Sequence, residues 1–332
     1  IRKKLNPETT LFVIVSKTFS TQETLLNATA FKEWFLNSAS NKDIGKHFIA
    51  VSSNTEAALQ FGIGQKNIFP VWDWVGGRFS LWGTVGLSIS LSIGTQNFED
   101  LLAGANEMDS HFKHTEFNEN IPVLLALVSI WYTNFFETET QAIVPYSQYL
   151  SKLTQHLQQA MMESNGKNID RDGNIINYQT GAIIWGSTGT NMQHAFMQLV
   201  HQGTKLIPID FIGFKESLYK LKGRQKKMTA NFHAQMDALA FGRTREEAAL
   251  ELKYTNQENN ISSILPYKVF YGNRPSTAIT IQKLTPKSLG KLIAMYEHKI
   301  FIQGVIWNIF SFDQFGVELG KELAEKILKK MN

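Results

Sequence analysis

A run of hydroxyl groups with one lysine follows the first apolar segment of the chain and could bind a phosphate group. Leu11–Val15 reads LFVIV, which is typical of a buried strand, and Ser16–Thr21 comes directly after it. Ser20-Thr21-Gln22-Glu23 fits the capping-box pattern, so a helix is predicted to begin there. The hydroxyls, Lys17 and free backbone N–H groups would then converge at a helix N-terminus, where the helix dipole favours an anion. An ordinary polar helix cap is the alternative, because Ser and Thr are common there.

A second segment supplies a carboxylate at the end of a predicted helix. Gln159 and Glu163 are four residues apart, which places both on one helix face, and the following Ser164–Gly166 would stop the helix. A carboxylate at a helix end that faces a pocket can act as a general base. A solvated glutamate is the alternative, and the spacing alone favours it.

Three further segments carry cationic or titratable side chains. In Gly76-Gly77-Arg78, the two glycines would let the backbone approach a ligand closely, and Arg78 could supply a fixed positive charge. A tight turn with a surface arginine is the more common case. His194 lies in the first turn of a predicted helix and could act as an acid or base, or pack at an interface. His201 lies seven residues on, but no carboxylate completes a metal set, so we predict no metal site. Gln314 and Lys321 are seven residues apart, two turns along one predicted helix face, where most lysines are solvated.

The elements that would position these groups alternate between strands and helices. The predicted strands are Leu11–Val15, Phe48–Val51, Ile68–Val71, Ala142–Pro145, Ala182–Trp185, Leu206–Ile212 and Ala278–Lys283. The predicted helices are Gln22–Leu36, Phe98–His111, Ile121–Phe136, Tyr149–Met162, Met192–His201, Met228–Phe241 and Phe312–Lys330. This rhythm occurs twice, so we predict two α/β domains, each an open, mainly parallel sheet with helices on both faces. Ile121–Phe136 is apolar all round and is predicted to be a buried helix.

Composition narrows the class of protein. The chain has 332 residues, of which 43% are hydrophobic and 19% charged, so a disordered chain is excluded. It has no cysteine, which excludes disulfides and thiolate metal sites and is compatible with a reducing compartment. The net charge of +4 is too mild to indicate nucleic acid, and the apolar stretches are shorter than the ~20 residues of a membrane span. We therefore expect a cytoplasmic protein with no nucleic-acid or membrane partner.

Taken together, the segments singled out above resemble the phosphoglucose isomerase family. SKTFSTQET, WDWVGGRFSLW, MESNGK, GTNMQHAF and FDQFGVELGK come in the family's order and approximate spacing. NRPSTAI and YEHKIFIQGVIWNIFSFDQ also look like the family, so the resemblance covers essentially the whole chain. Family members are longer, and we expect this chain to be the C-terminal three-fifths of the family's chain.

The resemblance implies a fold and a reaction. The fold is two sugar-isomerase domains, each a mainly parallel sheet sandwiched by helices, with the first incomplete in this chain. Residues 1–105 would complete the first domain, 106–311 would form the second, and 312–332 would form a C-terminal helix. The reaction interconverts glucose 6-phosphate and fructose 6-phosphate through a cis-enediolate, in glycolysis and gluconeogenesis. It needs no cofactor, because the hydrogen moves within the substrate.

The resemblance also implies roles for individual residues. Glu163 matches the base that moves a proton between C2 and C1, His194 and Lys321 match the groups that open the sugar ring, and Arg78 would stabilise the intermediate. Substrate and phosphate binding would fall to Ser16, Lys17, Thr18, Thr21, Gly77, Gln159 and Gln314. Glu23 matches a supporting residue that orients the histidine. The family forms homodimers in which this histidine, here His194, enters the site of the neighbouring subunit.

Four residues depart from the family's pattern, and one alternative function stays open. Ser187 and Thr188 stand where many members have Glu-Pro, Met192 stands where glycine is common, and Phe315 stands where tryptophan is usual. None of these positions transfers a proton in the family. The alternative is a non-catalytic sugar-phosphate-binding regulator of the same fold, which would need the phosphate loop but not the base Glu163. A protein-interaction scaffold would leave the phosphate loop unexplained.

Overall fold

Parallel strands organise both halves of the molecule. The computed structural model describes residues 4–219, 223–254 and 261–331, and the chain divides into two compact units, Ile1–Leu102 and Ala103–Asn332. The first unit holds a parallel sheet in the order β1-β2-β3, formed by β1 (Phe12–Val15), β2 (Phe48–Val51) and β3 (Ile68–Phe69). Because the strands are parallel, the loops that follow them leave from the same edge of the sheet.

Aromatic side chains form the core of the first unit. Phe12 of β1 stacks on the buried Phe48 of β2 at a centroid distance of 4.6 Å, and the buried Phe35 meets Phe48 edge-on at 5.6 Å. The helices in chain order are α1 (Gln22–Leu36), α2 (Ile44–His47), α3 (Thr55–Phe61), α4 (Leu87–Ile93) and α5 (Thr95–His114), and only the part of α5 up to Leu102 belongs to this unit. Packing of α1 on the sheet fixes where the loop between β1 and α1 lies.

The second unit holds a four-stranded parallel sheet in the order β5-β4-β6-β7. Its strands are β4 (Thr140–Pro145), β5 (Ile183–Trp185), β6 (Ile209–Glu216) and β7 (Ser276–Lys283). After β4 the chain forms β5 on one side of β4. It then crosses to the other side of β4, where it forms β6 and β7. A topological switch point therefore lies between β4 and β6, the place where open α/β sheets bind ligands.

Helices cover the second sheet. The helices of this unit are α6 (Ile121–Phe135), α7 (Leu153–Leu157), α8 (Gly189–Met192), α9 (Met197–Gln202), α10 (Arg224–Phe241), α11 (Arg245–Tyr254), α12 (Ile261–Lys268), α13 (Pro286–Ile306) and α14 (Glu318–Met331), with a π-helical segment at Gln158–Glu163. Buried side chains of β4 and β6, such as Val144 and Phe211, pack with Phe232 and Leu239 of α10. Within the described ranges, no helix has both the length and the apolar character needed to cross a membrane.

Parallel sheets flanked by helices confirm the predicted α/β fold class, but three predicted helices are interrupted. Tyr149–Met162 consists of a 3-10 turn, the short α7 and the π-helical segment. Met192–His201 is split into α8 and α9, because the chain turns between them. Phe312–Lys330 begins with a 3-10 turn at Phe315–Val317, and α14 starts only at Glu318.

The prediction that Ile121–Phe136 is a buried helix is wrong. One face of α6 is buried through residues such as Val123 and Ala126, whereas Trp131 is 53% and Phe135 70% exposed. An apolar sequence without periodicity gives no signal for which face is covered.

A buried charged pair lies beneath the second sheet. Lys299 of α13 is fully buried, and its Nζ lies 3.9 Å from a carboxylate oxygen of the buried Asp210 on β6. The same ammonium donates a hydrogen bond to Gln141 at 3.1 Å, and the Tyr296 hydroxyl donates one to Asp210 at 3.1 Å. Burial lowers the pKa of Lys299 and the charge of Asp210 opposes that shift.

Candidate functional site

The loop after β1 holds the first group of predicted binding residues. Ser16 is buried, extends the sheet pairing by donating its N–H to Val51 O at 3.1 Å, and donates its hydroxyl to Thr21 at 3.1 Å. Phe19 adopts a left-handed backbone with φ of 51°, which is uncommon for a residue other than glycine. Its ring is buried and packs edge-on against Phe61 at 5.8 Å, so tertiary packing holds the strained turn.

The predicted capping box at the start of α1 does not form. The hydroxyls of Ser20 and Thr18 bond to each other at 2.6 Å, and Thr21 is the N-cap without a side-chain cap hydrogen bond. Competition from neighbouring hydroxyls is the physical reason, since Ser and Thr pair locally as readily as they cap. The first turn of α1 therefore has no side-chain cap, and the N–H groups of this turn stay accessible to an anion. Glu23 lies exposed in the same turn.

Lys17 joins this loop to the segment that carries Arg78. Its Nζ donates to Asp73 O at 2.7 Å and to Val75 O at 3.2 Å. Two of its three N–H donors are therefore used within the protein. Trp72 and Trp74 flank the first acceptor and stack on each other with centroids 5.2 Å apart, although both rings are exposed. The loops that follow β1 and β3 thus come together at one edge of the first sheet.

Arg78 lies in a 3-10 helical segment, Gly77–Trp82, and is 5% exposed. Its guanidinium lies over the Phe79 ring, 5.4 Å from the ring centre. The hydroxyl of Ser80 donates to Gly77 O at 2.5 Å and tightens the turn. A Cβ added to Gly77 would meet no heavy atom within 4 Å, so the described surroundings leave open space at that position.

In the second unit, Glu163 ends the π-helical segment and is half-buried. Gln159 Nε2 donates to Glu163 Oε2 at 3.5 Å, so these two side chains share one face. Lys167 Nζ donates to the main-chain oxygen of Glu163 at 2.7 Å and to that of Asp313 at 3.2 Å, and it lies 3.3 Å from Asp313 Oδ1. One ammonium therefore links the backbone of the carboxylate-bearing segment to the segment that precedes α14.

Asn165, two residues after Glu163, anchors the same segment in the core. It is 1% exposed, donates to Ile300 O at 3.3 Å and to Gln303 Oε1 at 3.2 Å, and accepts from the Ser311 hydroxyl at 2.7 Å. Buried polar groups that are fully paired in this way fix a unique arrangement of the chain.

A cavity of about 560 Å³ opens beside Glu163. Lys167, Asp313, Gln314 and Phe315 also line it, so two predicted site residues, Glu163 and Gln314, share one cavity. This volume lies within the range of small-molecule binding pockets, about 300–1,000 Å³. Among the described residues, neither His194 nor Lys321 lines this cavity.

Lys321 is exposed in the first turn of α14. The expectation that Gln314 and Lys321 share a helix face is wrong, because α14 begins at Glu318 and Gln314 precedes the 3-10 turn. The amphipathic pattern of the sequence continues through this region, so it does not reveal the break in the helix that separates the two residues.

His194 lies in the turn between α8 and α9 rather than within a helix, and its side chain is exposed. Its N–H donates to Asn191 O at 3.2 Å. The neighbouring Gln193 donates through Nε2 to Asn231 Oδ1 of α10 at 2.9 Å. The Tyr146 hydroxyl donates to the same oxygen at 3.1 Å, and burial raises the pKa of Tyr146.

Sequence reasoning did not predict Lys167, Asp313, Asn165 or Asn231 as parts of these arrangements. Lys167 and Asn165 lie inside the MESNGK segment, so the motif contained a signal for them. Asn231 lies 38 residues from Gln193, and no spacing rule connects two side chains so far apart in sequence.

Comparisons with known proteins agree over the whole chain. A family model described as phosphoglucose isomerase matches residues 1–332. The glucose-6-phosphate isomerase of Christiangramia forsetii is 63% identical over 331 residues, covering 99% of this chain and 61% of that protein. The glucose-6-phosphate isomerase of Buchnera aphidicola subsp. Schizaphis graminum is 56% identical over 334 residues, covering 100% of this chain and 60% of that protein.

Solved structures give a similar result. The crystal structure of a glucose-6-phosphate isomerase from Chlamydia trachomatis matches with a TM-score of 0.88 at 39% identity, covering 99% of this chain and 61% of that chain. A hypothetical protein from Thermus thermophilus matches with a TM-score of 0.78 at 24% identity, covering 98% of this chain and 73% of that chain, which shows the fold alone. The chain spans about three-fifths of the length of the curated relatives it matches.

Proposed function

Since the chain belongs to the phosphoglucose isomerase family, we propose that it carries catalytic residues of an aldose-ketose isomerase that interconverts glucose 6-phosphate and fructose 6-phosphate. The observation that carries this proposal is the environment of Glu163. Its carboxylate is half-buried, lies at the end of a π-helical segment and borders a cavity of about 560 Å³. The names of the relatives support the same reaction.

In the proposed reaction Glu163 moves one proton between two adjacent carbons. After ring opening, its carboxylate takes the C2 proton while the C–H electrons form a C1=C2 double bond and the C1 carbonyl becomes an enediolate oxygen. The C2 hydroxyl proton passes to the C1 oxygen, the same carboxyl group returns its proton to C1, and the electrons of the C2 oxyanion form the ketone carbonyl. Arg78 stabilises the negative charge of the enediolate, since a guanidinium stays protonated at any working pH.

Phosphate binding is proposed for the loop after β1. Thr21 is the N-cap of α1, its hydroxyl bonds to that of Ser16, and the Thr18 hydroxyl bonds to that of the neighbouring Ser20. At this helix N-terminus the N–H groups and the helix dipole favour an anion. Lys17 keeps one N–H donor beyond its two carbonyl partners, and that donor can reach a phosphate oxygen. Gly77 leaves open space beside the loop for the substrate, and Gln159 and Gln314 orient the sugar.

The remaining parts of the proposal concern assembly and domain division. His194 and Lys321 open the sugar ring, and Glu23 supports the site by orienting the histidine. Because His194 is exposed in a turn, it is accessible to a second subunit, and we propose a homodimer in which it completes the partner's site. The proposed domains are 1–105 with the phosphate loop, 106–311 with Glu163 and His194, and the C-terminal segment 312–332, which contains α14 and Lys321.

Replacing Glu163 by glutamine tests the reaction. Glu163→Gln keeps the shape and removes the basicity, so isomerisation is expected to fall about a thousandfold or more, while binding of a phosphorylated sugar acid stays within a few fold. Exchange of the C2 hydrogen with D2O should fall equally. The exposed Glu116→Gln is the matched control. A full-length wild-type protein that binds sugar phosphates without turnover would instead identify a regulator.

Mixing two inactive variants tests the shared site. His194→Ala and Glu163→Gln subunits, dissociated and reassociated, would form heterodimers with one intact site and one doubly damaged site. With random reassortment about half the dimers are mixed, so roughly a quarter of wild-type activity should return, given closed two-fold symmetry. If native mass spectrometry detects heterodimers and no activity returns, each subunit uses its own histidine.

A further inference from the structure

Two polar side chains on one face of α10 hold the segment that carries His194. Asn231 Oδ1 accepts a hydrogen bond at 2.9 Å from Nε2 of Gln193, the residue before His194. Gln235, one turn further along α10, bonds through Oε1 to His201 Nε2 at 3.1 Å. The turn with the exposed His194 is therefore fixed to one helix on both of its sides.

Asn231 itself is held from below by a buried residue. The Tyr146 hydroxyl donates to the same Oδ1 at 3.1 Å, and the Tyr146 ring is 5% exposed. A Cβ on Gly189, at the start of α8, would lie 2.5 Å from that ring, so α8 approaches Tyr146 as closely as a glycine allows. Met192, at the end of α8, is fully buried. The buried side of this turn is thus fixed, and its other side is open.

From these contacts we propose that Asn231 is a positioning residue for His194, and this inference rests on the proposed isomerase function. This role requires no contact between Asn231 and a reacting atom. Its carbonyl oxygen orders the Gln193 side chain, and Gln193 sets the direction in which the next residue, His194, leaves the protein surface. A group that must reach a substrate outside its own fold needs such support, because a misplacement of about 1 Å can cost a hundredfold in rate.

The role requires an acceptor at position 231. Tyr146 and Gln193 both donate to Oδ1 of Asn231, so a carboxylate can replace the amide oxygen, whereas an apolar side chain of similar size cannot. Asn231→Leu is therefore the disruptive variant and Asn231→Asp the conservative rescue. Asp237→Asn, at an exposed position of the same helix, is the matched control.

A double-mutant cycle in the full-length protein tests the inference. Asn231→Leu is expected to lower kcat about 10-fold to 100-fold with KM within about threefold, and Asn231→Asp to restore most of it. In a His194→Ala background the same Asn231→Leu change should cost less than about twofold, because the group it positions is already absent. Gln193→Met should reproduce the Asn231→Leu loss and serves as the disruptive variant if Asn231→Leu does not fold, which thermal unfolding reveals.

Each result decides the question. Equal losses from Asn231→Leu in the wild-type and His194→Ala backgrounds, or no rescue by a folded Asn231→Asp, would overturn the positioning role. A wild-type protein without isomerase activity would overturn the proposed function instead. In that case the inference is tested by the NMR signal of the His194 ring. This signal is assigned by its absence from the spectrum of His194→Ala. It should shift in Asn231→Leu and not in Asp237→Asn, and an unmoved signal would overturn the inference.

Discussion

Replacing Lys167 by methionine would remove the charge that links two segments at the cavity while keeping the length of the side chain. In the structure Lys167 Nζ bonds to the main-chain oxygens of Glu163 and Asp313 and lies 3.3 Å from the Asp313 carboxylate. Its side chain is 16% exposed and that of Asp313 is 29% exposed, so the pair is only partly screened by water. Lys167→Met should therefore loosen Glu163 without touching its carboxylate.

The size of the effect follows from the contacts. A hydrogen bond that involves a charged group contributes about 1.5–3 kcal/mol, and water from the cavity can replace part of it, so we expect a net loss of about 2 kcal/mol. If this loss lowers the population of the reactive arrangement, kcat falls about thirtyfold, since each 1.4 kcal/mol corresponds to tenfold. KM should change less than about threefold, because other residues are proposed to bind the phosphate.

Steady-state isomerisation in both directions and C2 hydrogen exchange in D2O measure the result. The control is Lys152→Met, the same change at an exposed lysine near the start of α7, which should leave kcat within about twofold. Lys167→Arg keeps the cation and should retain more activity than Lys167→Met. A folded Lys167→Met that keeps more than half of the wild-type kcat would refute the idea that this link holds the base in place.

Three other predictions concern stability. Lys299→Met should lower the free energy of unfolding by about 3–5 kcal/mol, because it leaves the buried Asp210 without its cation; adding Asp210→Asn should recover more than half of the loss, as measured by urea unfolding. Burial lowers the pKa of His156, whose Nε2 has no hydrogen-bond partner among the described residues. The unfolded state therefore binds more protons, so stability should fall as the pH drops through and below about 6.5, and His156→Leu should flatten that slope in urea titrations at several pH values. Gly189→Ala would place a methyl group 2.5 Å from the Tyr146 ring and should cost about 1–3 kcal/mol, seen as a lower midpoint in thermal unfolding.

Strands with a continuously apolar sequence were predicted well. The runs at β1 and β2 are continuously apolar, and the predicted bounds agree with the structure to within one residue. β6 was predicted at Leu206–Ile212 but lies at Ile209–Glu216, because pairing with β7 carries the strand past Gly213 to polar residues. Local composition cannot anticipate an extension that a neighbouring strand imposes.

Helix interruptions and site contacts were harder to predict for a different reason. The pattern of Tyr149–Met162 suits one helix, but hydrogen bonding within it changes type before Glu163. The residue types of the candidate site came from motifs, whereas the links through Lys167, Asn165 and Asn231 depend on tertiary packing. Lys17 illustrates the difference, since its position suggested a phosphate ligand and the structure adds two carbonyl partners from a distant loop.

The π-helical segment Gln158–Glu163 has a consequence for how the chain can vary in length. A π-turn holds one more residue than an α-turn, so deleting a single residue there would convert the segment to an α-helix. The wider turn absorbs the extra residue, so the positions before and after it would keep their directions, whereas one residue added to a continuous α-helix rotates every following position by about 100°. Glu163 would therefore still face the cavity after such a deletion, although the segment before it would be one residue shorter. In an alignment of homologous sequences, a gap of one residue should therefore be tolerated within this segment and be rarer in the continuous α-helices.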